Sequence, residues 1–168
     1  LLRLVLIRHA KSALGPIDVE RQLAPRGRRD AEAIGGFLEQ AGIALDRVVV
    51  SPARRARETW DGAQSGLAAA VEVVVDDRIY DNDATTLFEV VRETPASVQA
   101  LGLVGHNPSF GELARALDDT EGDDDARQTL DAGYRTGGVA VFAVSGPWAE
   151  MRPHSGTLIA FAVPRAGS

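Results

Sequence analysis

The apolar residues of the chain fall into short runs that predict β-strands, and segments with helical periodicity separate these runs. Residues 2–7 form an unbroken aliphatic run, which is typical of a strand covered on both faces, as in a parallel sheet. Later runs predict two more core strands, one peripheral strand and two closing strands: residues 48–50 and 98–104, residues 71–75, and residues 139–144 and 157–163. The closing strands would form either a hairpin or a pair that crosses the sheet edge.

Amphipathic segments between these runs predict helices. The first helix begins at Pro25 and is stopped by Gly42. The second has Ser51 as its N-cap and Pro52 at its first helical position, and it runs to about Gly66.

Two shorter helices and two polar loops complete the pattern. Residues 85–92 predict one helix, and Ser109 is expected to cap another that ends near Leu117. Residues 12–24 predict a loop, and residues 118–125 hold six acidic side chains that predict an exposed loop or a frayed segment.

Alternation of strands and helices predicts the α/β class, as a three-layer α/β/α sandwich with a mostly parallel central sheet and right-handed crossovers. The chain has 168 residues and 45% hydrophobic content, which is enough for one sizeable core. We therefore expect a single domain over residues 1–168.

Composition narrows the possible partners. The formal net charge of -6 disfavours nucleic acid and anionic lipid as partners of the whole surface, so a bound anion requires a local basic pocket. The absence of cysteine removes disulfides, thiolate nucleophiles and cysteine-ligated zinc. No apolar run is long enough to span a membrane, and a cytoplasmic location is expected.

Chemically reactive side chains follow three of the predicted core strands, at the point where each strand ends. Arg8 and His9 follow the first strand, Ser51 and nearby arginines follow the second, and His106 follows the third. Carboxyl ends of parallel strands meet at one edge of a sheet, where ligands bind in such folds. We expect these side chains to converge there.

Two guanidiniums and two imidazoles in one pocket suit a phosphoryl group. Arginine binds phosphoryl oxygens through forked, charge-assisted hydrogen bonds. A neutral imidazole can attack phosphorus and form a phosphoenzyme that water later hydrolyses. Singly, each residue fits a structural or surface role better than a catalytic one, and His154 in its polar loop is expected to lie on the surface. Jointly, at three strand ends, they indicate a catalytic site that requires no metal.

The motifs around these residues resemble those of the histidine phosphatase superfamily, which has the phosphoglycerate mutase-like fold. They are Leu-Ile-Arg-His-Ala-Lys-Ser at residues 6–12, Leu-Ala-Pro-Arg-Gly at 23–27, Ser-Pro-Ala-Arg-Arg-Ala-Arg-Glu-Thr at 51–59 and Leu-Val-Gly-His-Asn-Pro at 103–108. The small size and these variants are most similar to the compact bacterial phosphohistidine phosphatase branch.

The resemblance implies a role for each matching residue. His9 would be the nucleophile, Arg8 and Arg55 would hold the phosphoryl oxygens, and His106 would donate to the transition state. Further substrate contacts are expected from two polar residues, Asn107 and Ser12. The motif spacing selects Arg55 over its neighbours, Arg54 and Arg57, which are then rim or surface residues.

Two departures from the family pattern affect the chemistry. Ala10 replaces the glycine that usually follows the nucleophile. No carboxylate general acid is evident, and the candidates Asp81 and Asp83 fit an exposed loop before a helix better. Alcohol leaving groups need a proton in the transition state, whereas phosphohistidine leaves readily once its nitrogen is protonated. The lack of an evident general acid therefore favours phosphohistidine over a phosphate ester as the substrate.

The leading hypothesis is a metal-independent phosphatase, without a cofactor, that acts through phospho-His9 on phosphohistidine in a protein partner. A small-molecule phosphomonoester phosphatase of the same fold is the main alternative, and a mutase is disfavoured by the short chain. A non-catalytic module that binds a phosphorylated ligand stays open as a different class. The spacing of the histidines makes a metal-binding protein a weak alternative. The pattern does not fix the oligomeric state.

Overall fold

The computed structural model describes residues 1–167 and organises them around one six-stranded sheet. The strands are β1 (Leu2–Arg8), β2 (Arg47–Val50), β3 (Glu72–Val75), β4 (Ala100–Gly105), β5 (Val139–Val144) and β6 (Gly156–Ala162). The α-helices are α1 (Pro25–Gln40), α2 (Arg54–Ser65), α3 (Ala84–Arg92), α4 (Ser109–Leu117) and α5 (Asp124–Ala132). Within residues 1–167, no helix is both long enough and apolar enough to cross a lipid bilayer.

The central strand β1 pairs with β4 in parallel on one side and with β5 in antiparallel on the other. The strand order is β3-β2-β4-β1-β5-β6, and only β5 runs against its neighbours in the described sheet. The prediction of a mostly parallel sheet is confirmed. The peripheral strand lies at one edge, and the two closing strands form a consecutive antiparallel pair at the other.

Helices cover both faces of the sheet because consecutive residues of β1 point to opposite sides. Leu4 and Leu6 are buried in one cluster with side chains of α3, α4 and α5. Val5 and Ile7 are buried in a second cluster with side chains of α1 and α2. An unbroken aliphatic run is therefore what a strand between two helical layers requires, and the predicted three-layer sandwich is confirmed.

Two helix caps expected from local sequence are wrong. The helix α2 begins at Arg54 with Ala53 as its N-cap, and Ser51 lies outside it. The hydroxyl of Ser51 instead accepts from the Ala53 amide and contacts His106. Ser109 is the first residue of α4 rather than its cap, and its hydroxyl donates to the His106 carbonyl. Contacts with His106, tertiary for Ser51 and local for Ser109, thus take both hydroxyls that the sequence suggested for capping.

The acidic segment at residues 118–125 is more ordered than expected. Asp118 is buried and forms an ion pair with Arg127 at 2.9 Å. Asp123 caps α5 by accepting from the Ala126 amide at 2.8 Å, and that helix was not predicted. These carboxylates therefore stabilise a helix and a buried ion pair, in addition to giving the segment its charge.

Glycine at position 27 lets the start of α1 pack against the backbone that follows β1. A Cβ atom there would lie 2.0 Å from the carbonyl oxygen of Lys11. The same carbonyl accepts from the Ala24 amide at 2.9 Å, so its position is fixed. A side chain at position 27 would force the helix away from the segment that carries His9.

We expect Gly27→Ala to lower the free energy of unfolding by roughly 1–3 kcal/mol, because the added methyl overpacks against backbone. The matched control is Gly36→Ala in the same helix, where a Cβ would meet nothing within 4 Å. That change is expected to stabilise the protein by roughly 0.5–1 kcal/mol through helix propensity. Urea unfolding of both variants measures the difference, and equal effects would contradict the close approach.

Candidate active site

The carboxyl ends of β1, β2 and β4 lie side by side, and they bring the predicted residues to one edge of the sheet. Arg8 is directly opposite Gly105 in the β1–β4 register. The His9 amide then donates to the Gly105 carbonyl at 2.9 Å, and the Ser51 amide donates to the Val104 carbonyl at 3.0 Å. The pairing therefore continues one residue beyond these strands and fixes the backbone on which His9 and His106 stand.

The imidazoles of His9 and His106 lie together in a buried site. Their ring centroids are 5.2 Å apart, and the residues are 7% and 8% exposed. Nδ1 of His9 is 2.7 Å from the Ala10 carbonyl oxygen. Because a carbonyl oxygen only accepts, this contact places the His9 proton on Nδ1 and leaves the lone pair on Nε2. Nε2 of His9 is the atom available for nucleophilic attack.

Both imidazoles are neutral at pH 7. Burial, opposed by the hydrogen bond to the Ala10 carbonyl and aided by the nearby guanidiniums of Arg55 and Arg8, lowers the pKa of His9 to about 4. Burial, the His9 ring and the Arg55 guanidinium lower the pKa of His106 to about 3. A histidine nucleophile requires the neutral form, which this environment maintains.

The two predicted arginines enter the same site from different elements. Arg8, at the end of β1, donates from its Nη1 to the carbonyl of Tyr134 at 2.8 Å. Arg55, in the first turn of α2, is only 7% exposed. Both guanidiniums lie close enough to His9 to lower the pKa of its imidazole. The structure therefore brings the four core residues of the sequence prediction together.

Two hydroxyl side chains connect the backbone segments and rings of the site. The hydroxyl of Thr59 accepts from the Ala10 amide at 3.0 Å and donates to the Arg55 carbonyl at 2.7 Å. The Ser51 hydroxyl lies 2.8 Å from Nε2 of His106. If this hydroxyl donates to Nε2, the proton of His106 lies on Nδ1, where it is available as a donor.

Two buried nitrogen atoms at the site have no hydrogen-bond partner among the described residues. They are Nε of Arg8 and Nδ1 of His106. A buried polar atom without a partner is costly, so native structures usually satisfy such atoms with protein, water or ligand. An oxyanion that accepts from both nitrogens would satisfy them, which agrees with a phosphoryl-binding pocket.

Three residues at the site had no signal in the sequence. Asp18 lies in a 3-10 turn before α1, where its carbonyl and carboxylate accept from the two terminal nitrogens of Arg55 at 2.8 and 3.1 Å. Tyr80 donates its hydroxyl to the same carboxylate at 2.5 Å and packs its ring edge-on against His106. Tyr134 supplies the carbonyl that holds Arg8. Each reaches the site through a loop, and loops carry no periodic pattern.

Asp18 adds a negative charge at the mouth of the site. Hydrogen bonds from Tyr80, then from Arg55 and Arg21, lower the pKa of the Asp18 carboxyl to about 2. The carboxylate is therefore ionised at neutral pH and neutralises part of the charge of Arg55. Its side chain is half exposed, so solvent or a ligand can reach it from outside.

The secondary contacts expected from the sequence are engaged elsewhere. The amide of Asn107 donates to the Tyr134 carbonyl at 3.0 Å and accepts from Gly111 at 3.1 Å. The hydroxyl of Ser12 accepts from Arg21 at 2.8 Å. Both residues brace loops around the site, and their contacts with substrate stay predictions.

The two candidate acids lie just before α3. Asp83 caps α3 by accepting from the Thr86 amide at 2.9 Å, and this contact lowers the pKa of its carboxyl. Asp81 is exposed. No hydrogen bond joins either carboxylate to the imidazoles or guanidiniums of the site within residues 1–167. An ionised capping carboxylate is a poor proton donor, so the general acid stays unassigned.

The profile described as "Histidine phosphatase superfamily (branch 1)" matches residues 4–107, well over half of the chain and the part that carries all four core residues. The chain belongs to the histidine phosphatase superfamily. An uncharacterized protein of Mycobacterium tuberculosis is 38% identical over 162 residues, which cover 95% of this chain and all of that protein.

Two solved structures share the complete fold. A protein described as a candidate phosphohistidine phosphatase SixA from Nakamurella multipartitia superposes with a TM-score of 0.86 and 27% identity, covering 97% of this chain and 96% of that one. A similarly described SixA protein from Agrobacterium tumefaciens gives a TM-score of 0.79 and 28% identity, with coverages of 97% and 99%. The protein is a phosphatase of this superfamily and has the phosphoglycerate mutase-like fold.

We expect the stability of this phosphatase to fall as the pH drops from 6.5 toward 4. In the unfolded chain a histidine has a pKa of about 6.5. As the pH falls, His9 and His106 therefore take up protons in the unfolded chain before they do so in the folded protein. Each imidazole protonated only in the unfolded state lowers the free energy of unfolding by about 1.4 kcal/mol per pH unit.

Urea unfolding between pH 7 and pH 5 measures this slope, and His9→Asn should reduce it. NMR titration gives a direct check, because the His9 and His106 ring resonances should stay those of neutral imidazole at pH 5.5. Resonances that shift near pH 6.5 would show that these rings are charged near neutrality.

Proposed function

We propose that this phosphatase hydrolyses phosphohistidine on a partner protein through a covalent phosphoenzyme at Nε2 of His9. The observation that carries the proposal is a buried, neutral imidazole with a free Nε2, near two guanidiniums and beside a second imidazole. That arrangement supplies a nucleophile together with groups that stabilise charge on phosphoryl oxygens.

In the first step, the Nε2 lone pair of His9 attacks phosphorus. The substrate imidazole is already protonated on its other ring nitrogen. The bond between phosphorus and this imidazole breaks, its electron pair stays on the nitrogen that carried phosphorus, and the substrate leaves as neutral imidazole. Arg8 and Arg55 balance the negative charge of the phosphoryl oxygens, and Nδ1 of His106 donates to one of them. The products of this step are the unphosphorylated partner and phospho-His9.

In the second step, water attacks the phosphorus of phospho-His9. The phosphorus–nitrogen bond breaks, its electron pair returns to Nε2, and inorganic phosphate leaves with the oxygen of the water. The low pKa of His9 favours this step, because Nε2 regains a lone pair without retaining a proton at neutral pH.

The surroundings of the site favour phosphohistidine over an alcohol ester. An alkoxide leaving group requires a positioned acid, and neither Asp81 nor Asp83 makes a hydrogen bond to the cluster in the described residues. A phosphoimidazole can bind a proton on its other ring nitrogen before the bond breaks, so the bound substrate ring is a cation and departs as neutral imidazole. The ionised carboxylate of Asp18 lies at the mouth of the site and stabilises such a cation. Similarity to proteins described as SixA phosphohistidine phosphatases supports the same choice.

We expect His9→Ala to abolish both turnover of a histidine-phosphorylated protein and labelling of the enzyme by its phosphoryl group. The matched control is His154→Ala, because His154 is exposed and its ring contacts the Asp118 carbonyl. That variant should retain full activity. Rapid acid-free quench with mass spectrometry locates the phosphoryl group, and assays in excess chelator test the expected independence from metal.

Other outcomes of these assays identify the competing functions. Faster turnover of phosphomonoesters than of phosphohistidine would indicate a small-molecule phosphatase. Tight binding of phosphate without a phosphoenzyme would indicate a binding module. Full turnover by His9→Ala would remove His9 from the mechanism.

We expect Asp18→Asn to bind inorganic phosphate about fivefold more tightly, because it removes a negative charge beside Arg55. Like charges about 4 Å apart in a water-like medium repel by about 1 kcal/mol, which corresponds to that factor. Asp61→Asn, at an exposed position of α2, is the matched control and should leave binding unchanged. Calorimetric titration measures both affinities, and weaker binding by Asp18→Asn would show that its carboxylate is needed to position Arg55.

A further inference from the structure

The loop between β1 and α1 exposes apolar side chains next to the active site. Leu14, Ile17 and Val19 are 94%, 53% and 38% exposed, and they are three of the seven large hydrophobic residues exposed in the described part of the chain. Asp18 of the same loop contacts Arg55. Clustered exposed apolar residues usually mark an interaction site, whereas scattered ones need no explanation.

These side chains line one wall of an open groove with a volume of about 780 Å³. The opposite wall comes from the segment that leads into α2 and from the first turns of that helix. It includes Pro52, Arg54 and Arg57. Asp18 lies between two of the lining residues, Ile17 and Val19, and its carboxylate contacts Arg55, so the groove adjoins the active site.

The groove is basic although the chain as a whole is acidic. Its lining includes Arg21, Arg54 and Arg57 but only one carboxylate, that of Glu20. Glu58 forms ion pairs with both Arg54 and Arg28, so its single negative charge offsets only part of their combined positive charge.

Arg57 has no carboxylate within 4.0 Å in the part of the chain that the structure describes, and its Nε donates to the Pro52 carbonyl. The groove therefore complements an acidic partner.

The apolar wall is held in place by hydrogen bonds. Arg21 binds three points of the loop: the Ala13 carbonyl, the Ser12 hydroxyl and the Asp18 carboxylate. The Ala13 amide also donates to the Gln22 carbonyl at 2.8 Å. A surface already ordered before binding loses less conformational entropy when a partner docks.

We infer that this groove docks the partner protein that carries the phosphohistidine, through a surface that presents apolar and acidic side chains beside the phosphorylated residue. The inference rests on the proposed function and adds the chemistry of the partner. Leu14, Ile17 and Val19 contact the apolar side chains, and Arg54 and Arg57 pair with the acids. Docking there would bring a neighbouring phosphoimidazole to Arg55 and His9.

The test compares a docked substrate with one too small to dock. The first is a synthetic helical peptide with one phosphohistidine flanked by leucine and glutamate, and the second is free phosphohistidine. Leu14→Ser combined with Ile17→Ser, and separately Arg57→Glu, should each lower kcat/KM for the peptide by at least about tenfold, the size of an interface hot spot. Turnover of free phosphohistidine should change less than about twofold.

Matched controls lie away from the groove. Ile159→Ser on β6 removes an equally apolar, exposed side chain, and Arg152→Glu reverses an exposed charge. Both should leave both substrates unaffected. A second peptide with lysine in place of glutamate should be hydrolysed poorly by the wild type and better by Arg57→Glu. Rising salt should lower kcat/KM more steeply for the acidic peptide than for free phosphohistidine.

The remaining outcomes overturn the inference in distinguishable ways. Turnover of free phosphohistidine with no preference for the acidic peptide would remove the docking surface and leave the proposed chemistry intact. Equal losses on both substrates would place the groove residues in the active site. A groove variant that dissociates a dimer in sedimentation would make the surface an interface between copies of this chain. Turnover of neither substrate by the wild type would refute the proposed function and the docking surface together.

Discussion

The pairing of β1 with β4 is the interaction on which the rest of the site depends. Its register places Arg8 opposite Gly105, so the two histidines that follow leave the sheet at the same level. A shift by one residue would turn each side chain to the other face of the sheet. The site tolerates no bulk at this point, since a Cβ on Gly105 would lie 2.6 Å from the Phe110 ring. Ordinary backbone hydrogen bonds and one missing side chain thus set the spacing of the imidazoles.

Burial then determines the charge of the site. Both imidazoles lose their protons because they are desolvated beside guanidiniums, while the arginines keep theirs because their intrinsic basicity is so much higher. The pocket consequently concentrates positive charge on two guanidiniums and leaves the imidazole of His9, the proposed nucleophile, uncharged beside them. The ionised carboxylate of Asp18, at the solvent side of the site, offsets part of this positive charge. The Tyr80 hydroxyl holds that carboxylate in place by donating to it. A protein with a net charge of -6 can in this way present a local attraction for a dianion.

The sequence alone predicted the features that depend on the periodicity of apolar residues and on which residues follow the predicted strands. The aliphatic run in β1 predicted a strand between two helical layers, and the strand-end positions of His9 and His106 predicted their meeting. Features that depend on long-range loop contacts were not predictable, as with Asp18, which is 37 positions from Arg55 and 62 from Tyr80.

The local capping signal at Ser51 was misleading for the same reason, because its hydroxyl contacts His106, 55 positions away. The signal at Ser109 failed locally, because that hydroxyl donates to the His106 carbonyl three residues earlier. Helix α5 was missed because its few buried residues, such as Ala126 and Leu130, give a weak pattern among many acids. Where packing rather than local preference decides, a single sequence gives little information.

The hydroxyl of Thr59 has a consequence for how this enzyme can change over evolutionary time. This hydroxyl accepts from the Ala10 amide and donates to the Arg55 carbonyl. It therefore joins the segment that follows His9 to helix α2, which carries Arg55. The exposed tip of the neighbouring loop, around Leu14, takes no part in these hydrogen bonds. Mutations there can alter which molecules are recognised while the reactive centre keeps its geometry, so new specificities can arise without rebuilding the catalytic apparatus.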